Sequence, residues 1–299
     1  MNPSLSPTKP SRALSLAEGI VTTMIWSGSF VLVKLALPYV GPLTLAGLRY
    51  FLAFLLLLPF MLRKGKAMRQ WPSRLWLHLC LLGLSAYTLG NGALFWGLKY
   101  LPATTGAFLL NLVPLLVLFL GIIWLHELPT RRQLLGVVVG LGGSLFFFSP
   151  GLAGGESAGI GIVLVGMAGF VLFAVLGRSM ARAQAVGTLS LTAVPLAFGG
   201  GALLLIALPI EGWPQLPLAT WGIVLILTLV NTTFAYLLYN HALQALTALE
   251  MNMLLNLSPL GTAVLAWLFL DERLSPIQLI GMVIVIAGVA LVQYGQREA

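Results

Sequence analysis

The chain has 299 residues, of which 59% are hydrophobic and 8% charged. A soluble domain carries about 25% charged residues, so this composition excludes an ordinary polar surface and points to lipid as the solvent. The net charge of +8 does not read as nucleic-acid binding, because the cations sit in short loops between apolar runs rather than in a patch with interleaved aromatics.

Residues 1–13, with Pro, Ser, Lys and Arg, read as a disordered tail. Lys9 and Arg12 ahead of an apolar stretch would suit a signal peptide. The run from Ala13 to Leu37 is too long for one, contains Glu18 and shows no small-x-small cleavage site, so it reads as a first span. Further apolar runs fall at 42–62, 75–98, 103–124, 132–149, 158–179, 188–208, 218–240, 249–270 and 276–294. At roughly 20 residues per crossing, the pattern predicts an all-α integral membrane protein of ten transmembrane helices. Strands of a barrel would alternate in polarity, and these runs do not. The single cysteine, Cys80, lies inside an apolar run, so no intrachain disulfide can form.

Ten spans put both termini on one face. Of the 16 Lys and Arg, all but Lys34, Lys99, Arg273 and the intraspan Arg49 then fall on that face. The positive-inside rule places it in the cytoplasm and predicts a multi-pass protein of the bacterial inner membrane.

The chain repeats itself at an offset of 145 residues. Leu109-Leu110-Asn111-Leu112-Val113-Pro114-Leu115 falls on Leu254-Leu255-Asn256-Leu257-Ser258-Pro259-Leu260. Glu127 falls on Glu272, Gln133 on Gln278, Leu134 on Leu279, Gly136 on Gly281 and Gly143 on Gly288. Leu-rich helices match by chance at Leu, but not at Asn, Pro, Glu, Gln and both Gly. Residues 14–149 and 156–295 are therefore expected to be two related five-helix repeats. Five is odd, so the second half enters the membrane inverted. Inverted repeats of this kind place a substrate site near the midplane between the halves and suit alternating access.

These features resemble the EamA repeat of the drug/metabolite transporter superfamily. The resemblance rests on the Asn-Leu-x-Pro signature, on the Glu followed by Gln-Leu-x-Gly, and on the two-times-five organisation. It implies a central cavity lined mainly by the first, third, fourth, sixth, eighth and ninth spans. It also implies roles such as export of amino acids and other small metabolites.

Polar groups inside lipid are costly and often functional. Asn111 and Asn256 lie mid-span, three residues before Pro114 and Pro259. Each proline frees the carbonyl four residues earlier, at Leu110 and Leu255. The Asn pair reads either as interhelical glue or as substrate contact. Polar and aromatic residues at helical spacing add Thr22, Trp26 and Ser29 in the first span and Tyr87, Asn91 and Phe95 in the third. The eighth span offers Thr232, Tyr236 and Asn240, and the ninth Asn252 and Asn256. The candidate substrate-binding set is Trp26, Ser29, Tyr87, Asn91, Asn111, Tyr236, Asn240, Asn252 and Asn256.

Glu250 opens the ninth span, and its repeat counterpart is Thr105, so the scaffold does not demand it. It is the coupling candidate, against a plain N-terminal helix charge. Arg49, about seven residues into the second span, is expected to snorkel outward or to pair with Asp271 or Glu272. The resemblance implies a scaffold role for it ahead of anion binding. Glu127 and Glu272 suggest turn or cap chemistry. Gly136 and Gly140 allow close helix approach, either internally or at a homodimer face.

No H-E-x-x-H, P-loop, G-x-S-x-G or paired Cys is present. Neither a metal, a cofactor nor enzymatic chemistry is expected. The reading is a secondary transporter or exporter of small, amino-acid-like or amphipathic metabolites, with a small-molecule solute and the lipid bilayer as partners. A non-transporting scaffold or sensor, and an intramembrane enzyme acting on lipid carriers, are the alternatives.

Overall fold

The computed structural model describes residues 10–63, 68–148, 156–184 and 186–294. Regular structure among them is helical. The helices are α1 (Arg12–Ala36), α2 (Pro42–Leu62), α3 (Ser73–Gly97), α4 (Ala103–Leu125), α5 (Arg131–Phe148), α6 (Glu156–Arg182), α7 (Thr188–Glu211), α8 (Leu218–Ala242), α9 (Ala248–Leu270) and α10 (Pro276–Tyr294). Eight of them, α1–α4 and α6–α9, are long and apolar enough to cross a membrane. The shorter pair, α5 and α10, has 18 and 19 residues.

The tail predicted over 1–13 ends earlier than expected. The Ser11 hydroxyl accepts from Leu14 N–H and starts α1 at Arg12, because an N-cap hydroxyl satisfies an otherwise orphaned amide. Residues 1–9 lie outside the described residues.

The 145-residue repeat recurs in local structure. Thr130 and Gln133 bond reciprocally to each other's backbone N–H at the start of α5. Ser275 and Gln278 do the same before α10. Both are capping boxes, which is what the duplicated glutamine does. His126 and Asp271 end α4 and α9 with the same left-handed backbone, φ 54° in each. A wide π turn interrupts α3 over Leu84–Asn91 and α8 over Leu229–Phe234.

Equivalent helices pair across the halves, α2 with α7 and α5 with α10. In the second pair a Cβ at Gly136 would stand 2.6 Å from the Gly288 carbonyl, and one at Gly143 2.6 Å from the Gly281 carbonyl. The converse distances are the same. Such reciprocity is what a pseudo-two-fold axis between the halves produces. It assigns Gly136 and Gly143 to internal packing, where absent side chains let two backbones touch.

Candidate functional site

Between the two halves lies a cavity of about 110 Å³. Its wall comes from α1, α2, α3, α4, α6, α8 and α9, and includes Trp26, Ser29, Arg49, Asn91, Phe95, Phe170, Phe173, Tyr236, Tyr239, Asn252 and Asn256. On a comparable measure a water needs about 10–15 Å³. The space in this conformation is thus several times that of a single water.

Seven of the twenty residues that line the cavity are aromatic. Trp26 lies 4.9 Å from Tyr236 and 5.5 Å from Tyr239, ring centre to ring centre. Phe173 stacks on Tyr239 at 5.3 Å. The Trp26 indole N–H donates to the Asn231 carbonyl at 2.9 Å, which fixes the ring. That carbonyl belongs to the π turn of α8, whose irregular backbone leaves acceptors available. π turns are frequent at functional sites.

Arg49 is the most polar feature of the wall and is only 3% exposed. Its Nε donates to Thr232 Oγ1 (2.5 Å), its Nη1 to Ser29 Oγ (2.6 Å) and its Nη2 to the Asn231 carbonyl (2.9 Å). The rings of Tyr50 and Phe95 lie 5.1 and 5.6 Å from the guanidinium carbon, within cation–π range. The sequence expectation for this residue is corrected on both counts. Arg49 does not snorkel out of the bundle, and it pairs with neither Asp271 nor Glu272. Asp271 faces Arg273, and Glu272 accepts from the amino end of α4.

Of the residues singled out from the sequence, Trp26, Ser29, Asn91, Tyr236, Asn252 and Asn256 come together on the cavity wall. Tyr87 stands behind it, packed on Tyr50 and Tyr236 at 4.7 and 5.1 Å. Asn111 lies off the wall, and its carbonyl accepts from Asn256 Nδ2 at 3.3 Å. Asn240 points the other way and donates to Thr192 of α7 at 3.0 Å. Glu250 also lies off the wall. It closes a capping box with Thr247 and forms an ion pair with Arg12. The signal for Arg49 was its position inside an apolar span. Its partners, Thr232 and the Asn231 carbonyl, lie more than 180 residues away in sequence and are invisible to local pattern.

The two ends of the bundle differ. At the end away from the amino terminus, Glu272 accepts from the N–H groups of Ala103 (2.8 Å) and Thr104 (3.2 Å) and from the Thr104 hydroxyl (2.9 Å). Lys34 lies beside it and donates to the Leu98 and Leu101 carbonyls. At the opposite end the equivalents are Glu127, Ala248, Leu249, Arg178 and Leu243. Arg178 does bond to the Leu243 carbonyl (2.7 Å), as Lys34 does to Leu98. Glu127, however, pairs with Arg178 at 2.8 Å, and a second cavity of about 140 Å³ lies among Glu127, Thr247, Ala248 and Leu249.

The EamA-like transporter family model matches twice, over residues 13–149 and 157–294. An uncharacterized transporter of Archaeoglobus fulgidus is 32% identical over 93% of this chain and 96% of its own. The S-adenosylmethionine/S-adenosylhomocysteine transporter of Chlamydia trachomatis serovar L2 is 24% identical over 96% and 91%. The uncharacterized inner membrane transporter YedA of Escherichia coli K12 is 26% identical over 91% and 88%. A crystal structure 18% identical in sequence superposes with a TM-score of 0.76 over 96% of this chain and 99% of that one, a likeness of fold.

Proposed function

The chain belongs to the EamA-like transporter family, a multi-pass membrane protein that transports small molecules, and on that premise we propose how it works. Ten spans, α5 and α10 included, form two inverted repeats over 14–149 and 156–295. The solute sits between them and is released by alternating access. Both termini face the cytoplasm of the inner membrane, as the Lys and Arg bias between the loops supports.

One observation carries the mechanism, namely the unequal ends. The same carboxylate, repeated, is docked on a helix start at one end and stands off it at the other. A carboxylate on the first free amides of a helix is favoured by orphan N–H groups and by the macrodipole. Glu272 on α4 therefore acts as a closed latch, and Glu127, drawn to Arg178 and separated from α9 by a cavity, as an open one. In the opposite state Glu127 docks on Ala248 and Leu249, and Glu272 leaves Ala103 and Thr104. Two near-equivalent halves make the two states near in energy, as a carrier requires.

The cargo is a compact solute with an apolar body and few polar groups. The test is flux in proteoliposomes, with amino acids, vitamins, nucleosides and cationic drugs as the panel. In a Cys80→Ser background, a reversible bridge between Thr104→Cys and Glu272→Cys is expected to stop flux, and reduction to restore it. A bridge between Leu249→Cys and Glu127→Cys is expected to do the same. Flux that persists through both bridges would rule out alternation about these ends.

A further inference from the structure

Arg49 is a buried cation on a cavity wall with no counter-charge. Every described carboxylate is placed elsewhere. Glu18 meets His241, Glu127 meets Arg178, and Glu250 meets Arg12. Glu211 and Glu272 accept backbone N–H groups at helix starts, Asp271 faces Arg273, and Glu156 opens α6.

A buried charge without a partner is unfavourable, and buried guanidinium groups are ordinarily matched by carboxylates or phosphates. Here the groups that touch it are neutral: two hydroxyls, one carbonyl and two rings. The Thr232 hydroxyl gives its own proton to the Leu227 carbonyl at 2.8 Å, so it can only accept from Arg49. The three bonds occupy three of the five guanidinium N–H groups and hold the plane rigid, which leaves two without a protein acceptor in a residue that lines the cavity.

We propose that Arg49 receives a carboxylate of the transported solute, whose apolar body then lies against Trp26, Phe95, Phe170 and Tyr236. This rests on the transport reading and narrows its cargo to small amphipathic acids, zwitterionic amino acids included. Planar bidentate recognition of carboxylate is what a guanidinium does better than an ammonium. The low polarity of the wall strengthens the contact. A solute with an amide in place of the acid leaves the charge unmatched and loses most of the interaction.

The experiment uses matched twins on the purified full chain: benzoate and benzamide, phenylacetate and phenylacetamide, leucine and leucinamide. Binding is read by the shift in melting temperature, and movement by flux in proteoliposomes. In at least one pair the acid is expected to bind about tenfold or more tightly than its amide, and to move while the amide does not. Arg49→Gln is expected to abolish that preference, and Arg49→Lys to keep part of it. The comparison on the unaltered protein decides the matter even where a variant fails to fold. Equal binding of acid and amide, or movement of neutral or cationic solutes with no preference for acids, overturns the assignment and leaves the transport reading standing. No binding or movement of any twin, or of any member of the wider panel, overturns both.

Discussion

Trp26 and Asn240 look equally promising by residue type, and the structure separates them. Trp26 is pinned by its indole N–H and presents its face to the cavity. Asn240 is bound to Thr192 in the contact with α7. The wide π turn over Leu229–Phe234 breaks the regular helical advance on which such a stripe is drawn. Of the stripe Thr232, Tyr236 and Asn240, only Tyr236 lines the cavity, and Thr232 stands behind the wall as the acceptor of Arg49 Nε. The wall continues instead through Tyr239. Two outcomes follow. Trp26→Ala enlarges the cavity and shifts the solute preference in competition flux assays toward bulkier compounds. Asn240→Ala removes one hydrogen bond, lowers stability by about 1 kcal/mol and leaves solute preference unchanged. A change of preference in Asn240→Ala, with none in Trp26→Ala, would reverse this division.

Helix positions were legible because length and apolar composition set them. The predicted runs and the observed helices agree within a few residues at most ends. The duplicated Gln133 and Gln278 were legible as a repeat, and their Thr and Ser partners three residues earlier already spell a capping box. The π turns were not legible. They arise where side chains of α3 and α8 bond five residues back, Asn91 to the Ala86 carbonyl and Thr232 to the Leu227 carbonyl, and no simple periodicity announces that. The glycines of α5 and α10 were ambiguous between an internal and an external partner until the Gly136–Gly288 and Gly143–Gly281 contacts were placed. Gly143→Val sets a branched side chain against the Gly281 carbonyl. Thermal unfolding in detergent is expected to show a loss of about 1–3 kcal/mol or more. Ser275→Ala, which removes only a cap, is expected to cost about 1 kcal/mol.

At the scale of the whole molecule the two ends are one device in two settings. Glu272→Gln replaces a charge-assisted bond to a helix start by a neutral one, weaker by on the order of 1 kcal/mol. That shifts the population toward the state open at the end away from the amino terminus by about fivefold to tenfold. A cysteine at Ala107 on the cavity wall, in a Cys80→Ser background, should then react faster with a water-soluble thiol reagent added from that side. An unchanged labelling rate would mean that Glu272 caps α4 without holding the end shut. Sequence comparison of the halves reveals that both carboxylates exist. It does not reveal that they are in different settings, because identical residues in an inverted repeat become inequivalent only once a conformation is chosen.

Gly41 and Gly187 precede α2 and α7 alike, and on that alignment the position equivalent to Arg49 is Pro195. Were the two halves separate, identical chains meeting in opposite orientations, every wall residue would occur twice, and a guanidinium on one side would face its own copy on the other. Mutual repulsion would then oppose closing the cavity over a single small acid. Joining the halves in one chain lifts that restriction. On the proposed mechanism, the scaffold then stays symmetric enough to rock between two states, while a guanidinium present in one half alone tells one end of a solute from the other. Polarity of the cargo within the carrier is thus a property that fusion permits and that an assembly of identical halves could not have.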